Sequence, residues 1–382
     1  MKKRLNIWLL AALVGASGIA ALAEAPQRAD GQDYIVAASV ESFRKTIPDP
    51  WLMNHIHYNF GEINDTFDGL DIQNPARFQQ IVDLKKINPD LKISISVGGK
   101  KRQGYSEMAA DSLKRLAFAR DVKEKLDYYG IDGIELDWEW PGFEGLGHTA
   151  SEDDTQNYVK LVRDLRQELG PDKLVTFYSS NLAKFVDYPG MMQYVDYAMV
   201  GAYNLGMPPK RHQSLLYPSS RFDDWCIARS IQLHLDAGVP PEKIVLGIPF
   251  FARCKWNGYT YVERASFDRY LPGFTEIWDE EGQVPYYADA DGTPIATFDN
   301  PRSILNKCQW LRDQGFSGVH YWNYDADDSV HTLARTLHDA LIPQQQAPAK
   351  SDSVAGIALK RRSLREGGPG VVKGSFEKVK GR

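Results

Sequence analysis

Four acids fall within eight residues at Asp132, Glu135, Asp137 and Glu139, in the run Ile131-Asp132-Gly133-Ile134-Glu135-Leu136-Asp137-Trp138-Glu139-Trp140-Pro141. On a β-strand, side chains alternate between faces, so Glu135, Asp137 and Glu139 share one face while Ile134, Leu136 and Trp138 share the other. Neighbouring carboxylates then sit about 6 to 7 Å apart at their Cα atoms. If both faces are covered, such charges raise one another's pKa, and one proton stays available near neutral pH. That suits general acid chemistry. Glu139, last on the strand, is placed to donate; Asp137 is its ionisable partner, and Glu135 shares or steers the proton. Ser94, Ser96, Tyr203, His320 and Trp322 have the same inward parity on other apolar runs. Tyr203 offers a donor and Trp322 an apolar plane, the two surfaces a pyranose ring needs.

The elements that must hold these side chains recur regularly. Eight short apolar runs cover 34–40, 55–60, 91–97, 131–139, 173–179, 194–203, 243–250 and 316–322, with helical patterns between them. Alternating βα units predict a parallel sheet, and eight of them an α/β fold of the (β/α)8 barrel type, whose interior is normally Val, Ile and Leu. Inward polar residues are therefore informative. Ser151 with Asp154 resembles a capping box opening a helix that Gly170-Pro171 stops, and a second helix runs from about Glu107 to Tyr129. The segment 253–300, with Trp256, Tyr259, Tyr261, Trp278, Tyr286 and Tyr287, is too long for an ordinary loop and predicts a small β-rich lobe between the seventh and eighth runs.

At 382 residues and 43% hydrophobic, the chain can bury a large core. Residues 1–23 have the basic start, apolar run and small-residue end of a signal peptide, with cleavage expected after Ala23 and a secreted or periplasmic destination. Residues 24–343 form the expected barrel, and 344–382 a disordered basic tail. Between 24 and 349 there are 33 Lys/Arg against 47 Asp/Glu. That acidic body excludes nucleic acid and an anionic membrane as main partners and favours a neutral polymer, read by a monomer with no stable membrane anchor. Cys226, Cys254 and Cys308 are too few for a disulfide framework; two of them have the option of pairing, and their spacing matches no metal site. His55 and His57 share a face at a spacing that metal-dependent barrel hydrolases use, but Tyr58-Asn59-Phe60 continues the strand beyond them, so no metal or other cofactor is expected.

These residues together resemble glycoside hydrolase family 18, the chitinase family. Asp132-Gly-Ile-Glu135-Leu-Asp137-Trp-Glu139 is similar to that family's Asp-x-x-Asp-x-Asp-x-Glu, and Ser96-Val97-Gly98-Gly99 to its Ser-x-Gly-Gly. Tyr58-Asn59-Phe60, Tyr203, Gly247-Ile248-Pro249-Phe250 and Trp322 also match, and the resemblance covers 34–342. It implies a retaining hydrolase of β-1,4-linked N-acetylglucosamine, in chitin or oligosaccharides, in which the substrate's own acetamido oxygen is the nucleophile. Glu139, Asp137, Glu135 and Tyr203 would be catalytic, and Trp322, Asn204, Trp140 and Ser96 would bind substrate. The alternatives are an endo-β-N-acetylglucosaminidase acting on N-glycan cores and a chitin-binding lectin; the lectins typically lack the terminal Glu that stands here at Glu139.

Three positions depart from the pattern. The middle acid, which normally trades hydrogen bonds with Asp137, is Glu135, one methylene longer. Met-x-Tyr-Asp reads Gly201-Ala202-Tyr203-Asn204, and run one has Ala37-Ala38 where the family often has a Tyr pair. Glu135 is expected to fill the space that a missing Tyr would leave.

Overall fold

A computed structural model describes residues 28, 30–99, 104–145, 147 and 149–342; the expected leader and basic tail lie outside the described residues. The strands, in chain order, are β1 (Ile35–Glu41), β2 (His55–Ile63), β3 (Leu70–Ile72), β4 (Lys92–Gly98), β5 (Gly133–Asp137), β6 (Leu174–Ser180), β7 (Tyr197–Gly201), β8 (Ile244–Pro249), β9 (Phe251–Trp256), β10 (Tyr259–Glu263), β11 (Thr275–Asp279), β12 (Val284–Ala288), β13 (Pro294–Thr297) and β14 (Gly318–Trp322). The parallel order β1-β14-β8-β7-β6-β5-β4-β2 closes by pairing of β1 with β2, which makes an eight-stranded barrel. β3 adds an antiparallel arm to the far end of β2.

Closure gives every barrel strand an inner and an outer face, and the period-two pattern sorts residues between them. Ile134, Leu136 and Trp138 point outward into the large apolar layer shared with the helices. There the Tyr158 hydroxyl, from the helix Asp154–Leu169, donates to the Leu136 carbonyl at 3.1 Å. The inner face has an apolar floor of Ile35, Ala37, Tyr197, Met199 and Val245. Above it lies a polar layer containing Ser39, His57, Ser94, Ser96, Glu135, Thr176 and His320, all buried.

Strand and helix limits differ from the sequence pattern where polar side chains intervene. β5 ends at Asp137, so Glu139 stands just beyond the ladder rather than in it. The expected helix from about Glu107 is two helices, Tyr105–Ala110 and Ser112–Tyr129, because the Asp111 carboxylate accepts from Leu113 N at 2.7 Å and starts the second. Asp154 accepts from Ser151 N at 2.9 Å, one half of the expected capping box, while Asp153 is the cap residue itself.

The long seventh connection is a five-stranded antiparallel lobe, order β10-β9-β13-β12-β11, with its own small core of Ala252, Cys254, Val262, Phe267, Leu271, Ala296 and Phe298. Arg44, just past β1, bridges Glu41 at 3.1 Å to Glu263 on β10 and so ties the lobe to the barrel mouth. Cys226, Cys254 and Cys308 are all free and buried, so none of them pairs. Among the described residues, no helix is long and apolar enough to cross a membrane.

The first acid of the motif serves the opposite end of the barrel from the other three. Asp132 Oδ2 accepts from Ile93 N at 2.8 Å and from Lys85 Nζ at 2.5 Å, pinning β4 to the entry of β5. Asp132→Ala leaves that amide without its partner and is expected to cost about 1–3 kcal/mol. A lowered Tm with unchanged KM checks this; a changed KM at unchanged Tm would place Asp132 in the site instead.

Candidate active site

The carboxyl ends of the barrel strands surround a cavity of about 310 Å³. Glu135, Asp137 and Glu139 from β5 and its exit line it, with Tyr203 and Asn204 after β7 and Trp322 ending β14. Six of the eight residues expected from sequence therefore meet at one place. Trp140 does not reach the cavity wall; its indole stacks on Tyr178 at 5.8 Å and Phe185 at 5.9 Å. Ser96 is fully buried on β4 in register with Glu135, beneath the cavity rather than on it. Trp51 and Trp256 are exposed away from it, and Trp278 lies under the Arg302 guanidinium at 3.9 Å.

Glycines make the acids' neighbourhood physically possible. Gly98 has φ +109°, and a Cβ there would lie 2.3 Å from the Asp137 carbonyl oxygen. The next residue, Gly99, donates its N–H to that same carbonyl at 2.8 Å. The Ser-x-Gly-Gly run thus lets β4 turn away exactly where β5 delivers Asp137, a close approach that only glycine permits. Gly201 does the same for the phenol of Tyr178, whose hydroxyl would be 1.9 Å from an added Cβ.

The acids are electrostatically unequal. Asp137 is held well above the usual carboxylate range, first by burial, then by Glu139 and Glu135, so it holds its proton more tightly than an ordinary carboxyl. The raised group is thus Asp137, the ionisable partner of Glu139 in the sequence pattern. Burial also pushes Glu135 up, but the His57 imidazole beside it outweighs that and holds the carboxyl below its ordinary value. His57 Nδ1–H donates to Glu135 Oε2 at 3.2 Å. Its Nε2 is 3.4 Å from the Tyr197 hydroxyl. Burial pulls the His320 imidazole down to about 3, leaving it neutral, and its Nε2 hydrogen-bonds the Ser39 hydroxyl at 2.7 Å.

The expectation that Glu135 replaces a missing Tyr is corrected by these contacts. Ala37 is covered by Tyr197 and Met199 from β7, and the longer acid spends its reach on His57, across the small Ser94 and Ser96 of β4. His57 therefore has a carboxylate as its hydrogen-bond partner. Among the described residues, no cluster of His, Cys, Asp and Glu has the makings of a metal site.

Asn204 has φ +57°, a left-handed conformation that Asn tolerates well, and its Oδ1 accepts from Arg253 Nε at 2.7 Å. Arg253 lies over the Phe251 and Tyr261 rings at 5.4 and 5.7 Å. All three come from β9 and β10 and line the cavity, as do Phe60, stacked 6.1 Å from Trp322, and Tyr178. The sequence pattern put Tyr261 in the lobe and Phe60 in a matched motif without making either a site residue, and it missed Phe251, Arg253 and Tyr178.

The chain matches the model of glycosyl hydrolases family 18 over residues 33–327, and it belongs to that family of glycoside hydrolases. It is 29% identical over 332 residues to "Chitinase A1" of Niallia circulans, covering 73% of this chain but 46% of that protein, so it spans a little under half of that relative. Among solved structures it resembles a family 18 N-acetylglucosaminidase from Paenibacillus barengoltzii, with TM-score 0.72, 28% identity, and coverage of 81% of this chain and 100% of that one. It also resembles the Group IV chitinase of Ostrinia furnacalis in complex with allosamidin, with TM-score 0.72, 25% identity, and coverage of 80% and 98%.

Because the pKa of Asp137 is higher folded than unfolded, the folded chain binds the extra proton between the two values, and stability falls as pH rises through that window. Asp137→Asn removes the buried acid. The mutant's Tm is expected to fall less than the wild type's between about pH 5 and about pH 8, while activity is lost. Parallel Tm profiles would contradict a proton held on Asp137.

Proposed function

We propose that this chain is a retaining glycosidase that cleaves β-1,4-linked N-acetylglucosamine in chitin or its oligosaccharides. The observation that carries this reading is the convergence of Glu135, Asp137 and Glu139 on one cavity with Tyr203 and Trp322. The names of the relatives, chitinases and an N-acetylglucosaminidase, support the same sugar. The apolar leader at 1–23 supports export to where such polymers are met.

In this reading the sugar of the bond to be cut lies over Trp322, and its acetamido group points down toward Asp137 and Tyr203. Its carbonyl oxygen attacks the anomeric carbon while Glu139 protonates the departing glycosidic oxygen. The Tyr203 hydroxyl orients that carbonyl. As positive charge builds on the acetamido nitrogen, the proton of Asp137 shifts toward the newly anionic Glu139, and Asp137 faces the charged N–H as an anion. As water approaches, Glu139 returns that proton to Asp137 and, again an anion, takes one from the water that opens the oxazolinium, so the β configuration is restored. Nothing in the sequence requires a metal for any of these steps.

The test is hydrolysis of a short N-acetylglucosamine oligomer with analysis of the first product anomer. Wild type should release the β anomer, and Glu139→Gln should lower kcat by about 10²-fold or more. Prompt α product, or an undiminished mutant, would refute the mechanism. Release of glycans from a glycoprotein without cleavage of the oligomer would move the substrate to N-glycan cores.

A further inference from the structure

Glu135 differs from the other acids of its strand in having a dedicated partner. His57, from β2, is fully buried and reaches across the serine-lined β4 to Glu135 Oε2 at 3.2 Å, while Tyr197 from β7 stands 3.4 Å from the other ring nitrogen. His320 from β14 closes the same chamber, its ring 5.9 Å from that of His57. Glu135 Oε1, Asp137 Oδ1, Ser96 Oγ and His320 Nδ1 have no hydrogen-bond partner here, so the chamber beneath Asp137 has polar walls and a single anchored acid. His57 is a hydrogen-bond partner of Glu135, and the small side chains between them leave its path clear.

We propose that His57 is a positioning residue for the reaction: by holding Glu135 as a fixed anion beneath Asp137, it confines the mobile proton to the Asp137–Glu139 pair. The groups facing Glu135 are His57 from β2, Ser96 from β4, Thr176 from β6, Tyr197 from β7, His320 from β14 and Asp137 on its own strand. Of these, His57 is the ring whose nitrogen lies within hydrogen-bond distance of the carboxylate, while His320 Nε2 is turned to Ser39. A buried carboxylate deprived of that partner takes up a proton itself. The anion below Asp137 then disappears, Asp137 releases its proton at lower pH, and the protonated pair is lost earlier on the alkaline side. This deepens the proposed reaction and rests on Glu139 being its acid.

The experiment is the pH profile of kcat/KM on an N-acetylglucosamine oligomer for wild type, His57→Leu, Glu135→Gln and the double variant. Loss of either partner should move the alkaline limb down by about one pH unit or more, with kcat falling about tenfold and KM changing less than about twofold. The double variant should show no further shift, because both changes remove one interaction. An unmoved limb, with activity lowered evenly at every pH, would reduce His57 to packing and overturn the proposal. Should His57→Leu not fold, Glu135→Gln carries the same test, since it removes the anion at nearly constant volume. A measurement independent of turnover is proton NMR of the wild type at neutral pH, where a downfield imidazole N–H should be present and should vanish in Glu135→Gln. Its absence from the wild type refutes the anchor. Its presence in a wild type that cleaves no N-acetylglucosamine substrate would refute the proposed function and leave the anchor standing.

Discussion

Carboxylates stripped of water inside a barrel repel one another, and the rest of this site is organised around that fact. Glu135 and Asp137 are almost completely buried, and no Lys or Arg pairs with either among the described residues. Two remedies operate at different depths. Glu135 is held below its ordinary pKa against an imidazole, and the pKa of Asp137 is raised, so that it gives up its proton less readily. The two are linked, since the anion below is one of the charges that raise the acid above it. A proton held in this way is what a general acid at the mouth needs behind it.

Small residues decide where such a stack fits. A barrel interior is ordinarily filled by branched aliphatic side chains in layers, and here that layer survives only as the floor around Ile35, Met199 and Val245. Above it, Ser94 and Ser96 leave the centre open for Glu135 and His57 to meet, and Gly98 lets β4 diverge at Asp137. The cavity is thus a consequence of local side-chain volume along β4 as much as of the acids on β5. The Asp132 carboxylate, though part of the same motif, does its work at the opposite end, capping the ladder that sets the register of both strands.

The lobe finishes the site from outside the barrel. Its strands β9 and β10 bring Phe251, Arg253 and Tyr261 to the wall, and Arg44 holds β10 against the end of β1. Arg253 meets a neutral amide at Asn204 rather than a carboxylate, and the left-handed backbone there suits Asn. The departure at this position therefore changes the charge of the cavity wall while keeping a hydrogen bond between barrel and lobe.

Periodicity alone determined the eight strands, the inward parity of Glu135, Asp137, Tyr203, His320 and Trp322, and the presence of an inserted β lobe, because alternation and segment length are local properties of the chain. Spacing also brought out the family motif. What the sequence left open was every contact made across the barrel: that Glu135 reaches His57 rather than the place of a missing Tyr, that Tyr197 covers Ala37, that Trp140 stacks on Tyr178 instead of lining the cavity, and that Arg253 joins Asn204. These pairs are separated by tens to more than a hundred residues, and closure of the sheet alone brings them together. The assignment of the proton to Asp137 depends on the same closure, since a pKa is set by burial and by neighbouring charge, and neither exists until the barrel is complete.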